Sequence, residues 1–593
     1  MSMKHMRYKI VAIAALFAGV LSAGAQESMN KSIEVTKAYV PTVHGATKLA
    51  FQPRIDDTVR LQPDIDYAIK PVACYTTFSS RQINPAKMNS SAVTSGNPGY
   101  VSFAMGYPFR TLFDLYINNR DIANRTIGGY VNHRGSYSKI ASDLDIANEQ
   151  LPSALSQYNA AGFFGSQSWD NLTLRGEVGY DNRVYHRYGA FVREEFLTDS
   201  LYYNNREEFN AGLTPKPKQS LVDYGKVFGT VSFGDDFSEL SELNFGVSLN
   251  TAYSYDLHGS EMIDLGATAR VAKMFSKHGF DVGVDYNSYY GVAKLADRGN
   301  QSVIVRPRYM YRAGIVRVAA GVDYGYRISK GFDDINRNYL FPHVDVVVDA
   351  FKGYIIPYAQ ASGDFIDGSF EALSRENPYI TAGVTAPTGA RISTEVGVSG
   401  SAMQCLSYKA YFNYTHLDNM HYFVSLYKPV GSQFADSFGI VTDNANIYTI
   451  GANIEYMYAG VLTAGLDAHY YGNVLKTLTG GGSAPSWDAG LSLRYRHKDK
   501  FIAEFGAKVL GARDFYEIAG AESPIMRAED VADNIYINRA PACVDLNIRL
   551  NLRILNSWWM YVQGGNLANS RLYTYNHYRS LGTNFMLGFR TSF

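Results

Sequence analysis

Thr583-Asn-Phe-Met-Leu-Gly-Phe-Arg-Thr-Ser-Phe593 puts Phe585, Leu587, Phe589 and Phe593 on one parity and Asn584, Gly588, Arg590 and Ser592 on the other. A period of two sends alternate side chains to opposite faces of a strand, so this segment has an oily face and a wet one. Working back, Val544-Asp-Leu-Asn-Ile-Arg-Leu-Asn-Leu-Arg-Ile554 repeats the pattern over eleven residues, with Asp545, Asn547, Arg549, Asn551 and Arg553 on the polar face. Charges in the middle of a long strand suit a water-filled lumen better than a thin solvated edge. Tyr448 to Tyr458, Phe280 to Tyr286 and Ala489 to Tyr495 do the same, and in each a tyrosine closes the apolar row where a membrane interface would lie.

About 22 such segments fit between Tyr100 and Phe593, or roughly 16 to 20 if some boundaries merge; single-chain bacterial barrels have an even count. Short turns at Asn118–Asp121, Ser276–Gly279 and His497–Lys500 alternate with long polar stretches at Ser142–Asn159, Phe191–Asp223, Gly363–Asn377, Asn419–Asn444, Leu475–Pro485 and Arg513–Arg539. That asymmetry predicts periplasmic turns and extracellular loops, the latter carrying any surface recognition. The fold expected is all-β, a transmembrane antiparallel barrel over residues 99–593.

The N-terminal end agrees with export. Lys4, Arg7 and Lys9 precede an apolar run from Ile10 to Leu21 and a small-residue site at Ala23-Gly-Ala25, which together predict a signal peptide over 1–25 and a mature start at Gln26. The apolar run is shorter than the roughly 20 residues a spanning helix needs, and no apolar run of that length follows it. Tyr 46, Phe 32 and Gly 53 beside Pro 19 suit aromatic girdles and a curved wall. The expected location is the bacterial outer membrane, with membrane lipid as the surrounding partner. Lys+Arg 55 against Asp+Glu 55 gives no basic excess, so nucleic acid is not an expected partner. Cys74, Cys405 and Cys543 are odd in number and far apart, which predicts incidental thiols.

Residues 26–98 are different in kind. Pro41, Pro53, Pro63, Pro71 and Pro85 interrupt them and no long amphipathic period appears, so they read as an extended periplasmic arm that meets a periplasmic or outer-membrane protein partner or lies in the lumen.

Several chemistries find weak support. Asp334-Ile-Asn336-Arg-Asn338 with Asp345 has calcium-loop spacing, but Tyr339 stands where the turn needs glycine and no glutamate closes it. Gly480-Gly-Gly482 opens no helix and reads as a loop tip. Arg494, Arg496, His497, Lys498 and Lys500 read as lumen charge and turn solvation. No spacing selects a nucleophile with its base, so no catalytic residue, metal ligand or cofactor site is assigned and an enzyme is not expected.

Glu376-Asn-Pro-Tyr-Ile-Thr381, the alternating strands through Tyr414, Asn419-Met-His-Tyr-Phe-Val424, Gly565-Asn-Leu-Ala-Asn569 and the final Phe593 together resemble the C-terminal barrel of TonB-dependent receptors, most of all those of Bacteroidetes. Ile33, Glu34, Val35 and Thr36 are similar to the short strand that pairs with the energy-coupling protein in that family, and equally read as part of the arm. The amphipathic closing strand, with Phe589 and Phe593, resembles the signal read by the barrel assembly machinery. The resemblance implies a receptor or transport barrel passing or binding a small to medium solute of unspecified identity. It departs from the family in having no recognisable plug between Gln26 and Pro98. The alternative is a non-transporting barrel that docks partners through its arm or loops, and Asp545, Arg549 and Arg553, read as lumen-facing, suit an open or a closed lumen.

Export and insertion are checked together. Mass spectrometry of membrane-extracted protein is expected to find Gln26 at the N-terminus, and unboiled samples to migrate as a compact species on gels; recovery from the soluble periplasm would end this reading.

Overall fold

The computed structural model describes residues 98–119, 124–140, 153–169, 171–189, 221–332, 337–402, 405–427, 437–519 and 523–593. The signal segment, the arm and Ile33 to Thr36 lie outside the described residues. One sheet holds 25 strands; three of them, Arg513–Ala519, Ile525–Arg527 and Ile535–Ala540, stand above the wall, leaving a closed antiparallel barrel of 22.

Strand Gly99–Tyr107 pairs with its sequence neighbour Arg110–Asn118 on one edge and with Asn584–Ser592 on the other, in register from Tyr100 opposite Ser592 to Tyr107 opposite Phe585. Reciprocal 2.9 Å bonds between the backbones of Gly99 and Phe593 finish the seam. Gly99 is needed there. A Cβ at that position would lie 2.3 Å from the Phe593 ring, so the terminal aromatic covers the seam because the first strand offers it a bare backbone.

Alternation is what a wall between lipid and water requires. Phe585, Leu587, Phe589 and Phe593 are 48%, 48%, 38% and 55% exposed on the outer face, as are Leu550 and Leu552 on Cys543–Arg553 and Ile450, Ile454 and Tyr456 on Phe438–Tyr458. In water such rows would be an aggregation hazard; in hydrocarbon they are the favoured surface. The strands alternate between turns of a few residues, such as 276–277, 314–315, 459–461 and 498–500, and longer connections including 367–388, 476–486, 511–542 and 566–583. Gly99 and Ser592 both belong to the short-turn rim, the periplasmic side of such a barrel.

Several of the stretches expected as external loops are strand or helix in part: Ser153 to Asn159 of Ser142–Asn159 open the wall strand Ser153–Trp169, Leu221 to Asp223 of Phe191–Asp223 open Leu221–Asp235, and three more are structured at greater length. Within Asn419–Asn444 the described residues continue the wall, since Leu406–Tyr427 and Phe438–Tyr458 run past the membrane zone and pair up to Ser425 opposite Phe438. Arg513–Arg539 contains short strands that pair with one another and, in parallel, with those extensions at Val424 to Tyr427 and Ile440 to Thr442. Gly363–Asn377 is the largest correction. Gly363 to Ile366 finish a wall strand, and the rest turns inward as helix α1, Phe370–Glu376.

Outward placement of Ile548 gives a direct check. Ile548→Arg is expected to cost about 2–4 kcal/mol if it meets the bilayer midplane, whereas Arg549→Ala, one residue on and on the polar face, is expected to cost well under 1. Denaturant refolding into vesicles measures both, and equal losses would show the facing to be wrong.

Candidate functional site

The long-loop mouth is filled from within. Connection 367–388 leaves the wall at Ile366 and returns at Gly389, and its neck is pinned by the Ala386 N–H donating to Gly368 O at 2.8 Å. A Cβ on Gly368 would sit 2.3 Å from Ala386 O, so this neck closes only around glycine. Asp367 accepts the Ser369 N–H at 2.8 Å, and Ser369 Oγ caps α1 by accepting from Ala372 N at 3.2 Å. Glu371 in the first turn and Arg375 in the last complement the helix dipole. Asn377 and Pro378 stop the helix, with Asn377 Oδ1 accepting the Tyr379 N–H at 3.0 Å.

Two kinds of contact tie this loop across the lumen. The first is ionic: Glu371 meets Arg183 at 2.7 Å and Lys226 at 3.2 Å, and Arg375 reaches Asp181 at 2.7 Å while also pairing with Glu371. Asp181 and Arg183 project inward from Leu172–His186, and Lys226 from Leu221–Asp235. The Arg183 and Glu371 side chains are 5% and 7% exposed, so both depend on protein partners for what water would have supplied, Glu371 on Arg183, Lys226 and Arg375, and Arg183 on Glu371 and, at 3.8 Å, Asp181.

The second kind is apolar. Phe370, Leu373, Ile380, Val384 and Ala386 are buried with Met262 and Tyr289 of the wall, and Phe438 and Tyr578 from the opposite side. Tyr379 stacks on Tyr578 with ring centroids 3.9 Å apart, and Tyr188 packs edge-on against both. Burial pushes the Tyr188 phenol up to about 12, and that of Tyr379 well above its ordinary range, so both stay neutral hydroxyls.

Tyr578 belongs to a second inward connection, 566–583. Asn566 shapes it, donating to Ser570 O and Leu581 O at 2.9 and 3.0 Å and accepting the Ser570 N–H at 2.9 Å. Its tip is held by Asn576, which donates to Glu517 at 2.9 Å and Ser425 at 3.0 Å, and by His577, 2.8 Å from the same Glu517. The parallel bridge of Ile380 to Phe438, with Thr381 N donating to Phe438 O at 2.8 Å, joins the first loop to the extended wall. Freeing the loop from the wall would break the ion pairs, the aromatic stack and the Ile380–Phe438 bridge together, along with the bonds from Tyr224 to Pro378 O and from Tyr289 to Ala386 O.

The residues singled out in the sequence fall elsewhere. Asp545 stands opposite Lys508 in register, and Arg549 opposite Glu504 with its guanidinium 4.5 Å over the Tyr561 ring. Arg553 lies at the short-turn rim, donating to Asn556 O at 2.8 Å. These three do not converge on one site. Of the calcium-like stretch, Asp334 and Asn336 lie outside the described residues, while Tyr339 is taken up by Arg327 and Asp418. Among the described residues no group of three or more His, Cys, Asp or Glu side chains could hold a metal ion. Cys405 and Cys543 are free thiols. The mouth carries its own sequence signal: Ser369, Phe370, Leu373 and Pro378 mark a capped, one-faced short helix, and Glu376 to Thr381 and Gly565 to Asn569 are turns of the two inward loops.

No family model and no curated protein matches the chain. Among solved structures it is similar to the FrpB iron transporter of Neisseria meningitidis (F3-3 variant), at 10% identity and TM-score 0.62 over 84% of this chain and 82% of that one. It is also similar to the siderophore receptor PirA of Acinetobacter baumannii, at 10% identity and TM-score 0.58 over 85% and 81%. A third is the ferric-catecholate import receptor Fiu of E. coli K12, at 9% identity and TM-score 0.60 over 84% and 82%. At this identity the likeness is one of fold: this is a 22-stranded barrel of the bacterial outer membrane.

The seal rests on Glu371. Glu371→Ala removes the carboxylate shared by Arg183, Lys226 and Arg375, leaves the buried Arg183 only one carboxylate, Asp181 at 3.8 Å, and is expected to cost the docked loop about 3–5 kcal/mol, whereas Lys476→Ala, from an exposed pair with Glu529, is expected to cost about 0–1. Amide exchange across 367–388 in nanodiscs measures both, and equal protection in the two variants would remove the ion cluster from this role.

Proposed function

We propose that this chain is an outer-membrane receptor that admits a small to medium solute through a lumen gated by its inward loops, in the manner of TonB-dependent receptors. The observation that carries the reading is the mouth: an ion-paired, aromatic seal drawn across a hydrated, charge-lined lumen. An anchoring barrel needs neither part, since eight strands suffice to hold a domain in a membrane, whereas 22 strands enclose a passage that must be plugged. The three similar structures are an iron transporter, a siderophore receptor and a ferric-catecholate import receptor. Ile33, Glu34, Val35 and Thr36 are the proposed contact for a periplasmic partner, and Phe589 and Phe593 the proposed signal to the assembly machinery, with their outward rings available to it while the strand inserts.

Conductance across planar bilayers tests the gate. The full chain is expected to stay largely closed, and replacement of residues 370–386 by a short Gly-Ser linker to produce large steps, either directly or once residues 26–97 are also removed. A barrel that remains closed without both segments, or an intact chain that already conducts as widely, would return the function to partner docking.

A further inference from the structure

We propose that a niche in the lumen wall beneath the seal is a binding site for a small hydroxylated anion, a solute bearing a carboxylate or phosphate group. The inference rests on the reading of the barrel as a solute receptor and names the class of solute. The niche has a volume of about 400 Å³ and spans the strands from Leu462–Leu475 to Trp558–Gly565. That volume lies within the range of small-molecule sites.

Strand register builds it from two neighbouring rows. One row runs Thr463, Arg494, Glu504, Arg549, Gln563, each directly opposite the next. The row on its mouth side runs Gly465, Ser492, Gly506, Asn547, likewise opposed in sequence. Small side chains in the second row leave a recess, and the first row supplies charge along its edge. A Cβ added at Gly506 would meet nothing within 4 Å, which locates the empty space at that residue.

The donors around the recess are not used up by the protein. Arg494 leans on Glu504 at 3.4 Å, so one carboxylate faces two guanidinium groups and the row keeps one positive charge. Arg549 Nε is buried without a hydrogen-bond partner, and the Arg549 plane is held in place by the Tyr561 ring 4.5 Å away. A planar guanidinium fixed in this way matches two oxygens of a carboxylate or phosphate. Gln563 and Ser492 bring an amide and a hydroxyl to the same recess, suited to the hydroxyls of a polyol acid.

Calorimetry on the full-length protein in detergent, with gluconate, glucose and inorganic phosphate as probes, tests the site. Gluconate is expected to bind saturably and about tenfold or more tighter than glucose, the factor a charge-assisted hydrogen bond carries. Arg549→Gln is expected to lose about that factor for gluconate and phosphate alike. Gly506→Leu, whose Cβ has open space and whose side chain enters the recess, is expected to abolish gluconate binding while heat-modifiable migration stays normal. Gluconate and glucose binding equally, affinity for gluconate unmoved by either substitution, or no saturable binding of any probe would overturn the proposal. Vesicle uptake of gluconate separates the two readings: binding without uptake keeps the niche and counts against passage.

Discussion

A strand edge left open in hydrocarbon exposes N–H and C=O groups that nothing can satisfy, at several kcal/mol each. The seam between Gly99–Tyr107 and Asn584–Ser592 is therefore the constraint on which everything else hangs. It demands an even number of strands and brings both wall termini to one rim. It also constrains register around the ring. Closure sets the summed offset of the strands around the ring, and within that sum the neighbouring pairs Arg494–Glu504 and Glu504–Arg549 place those three side chains in one row.

The same constraint relocates the hydrophobic core. The wall presents its apolar side to lipid and its polar side to the lumen, so its strands bury little against one another beyond their backbones. What resembles the interior of a soluble protein is concentrated in the mouth, in the cluster around Phe370, Leu373, Tyr379 and Tyr578 and in a second around Val424, Val441, Tyr516 and Ile518. The first cluster is built by loops. Its members come from two inward connections and several wall strands, and α1 is too short to be stable by itself, so its helix exists because the wall supplies Arg183, Lys226 and an apolar seat.

This division explains what could be read from the chain. Period two is a local property, and it shows plainly in Val544 to Ile554 and in Phe585 to Phe589, which is why strand facing and fold class were legible. The mouth depends on contacts between residues far apart in sequence, such as Arg183 with Glu371 and Tyr379 with Tyr578, and alternation carries no trace of them. Polar composition then misleads. Gly363–Asn377 looks like a solvated loop because its charges are visible in the sequence, whereas the partners of Glu371 and Arg375, Arg183 and Asp181, lie on a strand nearly two hundred residues earlier. Asn419–Asn444 misleads differently, since strands that rise past the lipid bury both faces and lose the clean alternation. Buried His421 and Tyr422, and buried Val424 and Ser425, sit there on adjacent positions.

The strength of the seal also bears on what can open it. Opening returns Arg183 and Glu371 to water together, so the pair adds less to the barrier than loss of one partner would, and a ligand acting alone must prefer the open mouth by the whole free energy of the docked loop. A solute held weakly in a hydrated wall niche does not supply that preference. The aromatic stack and the Glu517 contacts of the second loop add to the barrier, because Tyr379 cannot leave without uncovering Tyr578. A solute recognised from outside must therefore bind the loops themselves with substantial differential affinity, or the loops must be drawn aside by a force applied elsewhere in the barrel. The wall niche is suited to a later moment, when the solute is already below the seal and needs a foothold from which it can still leave.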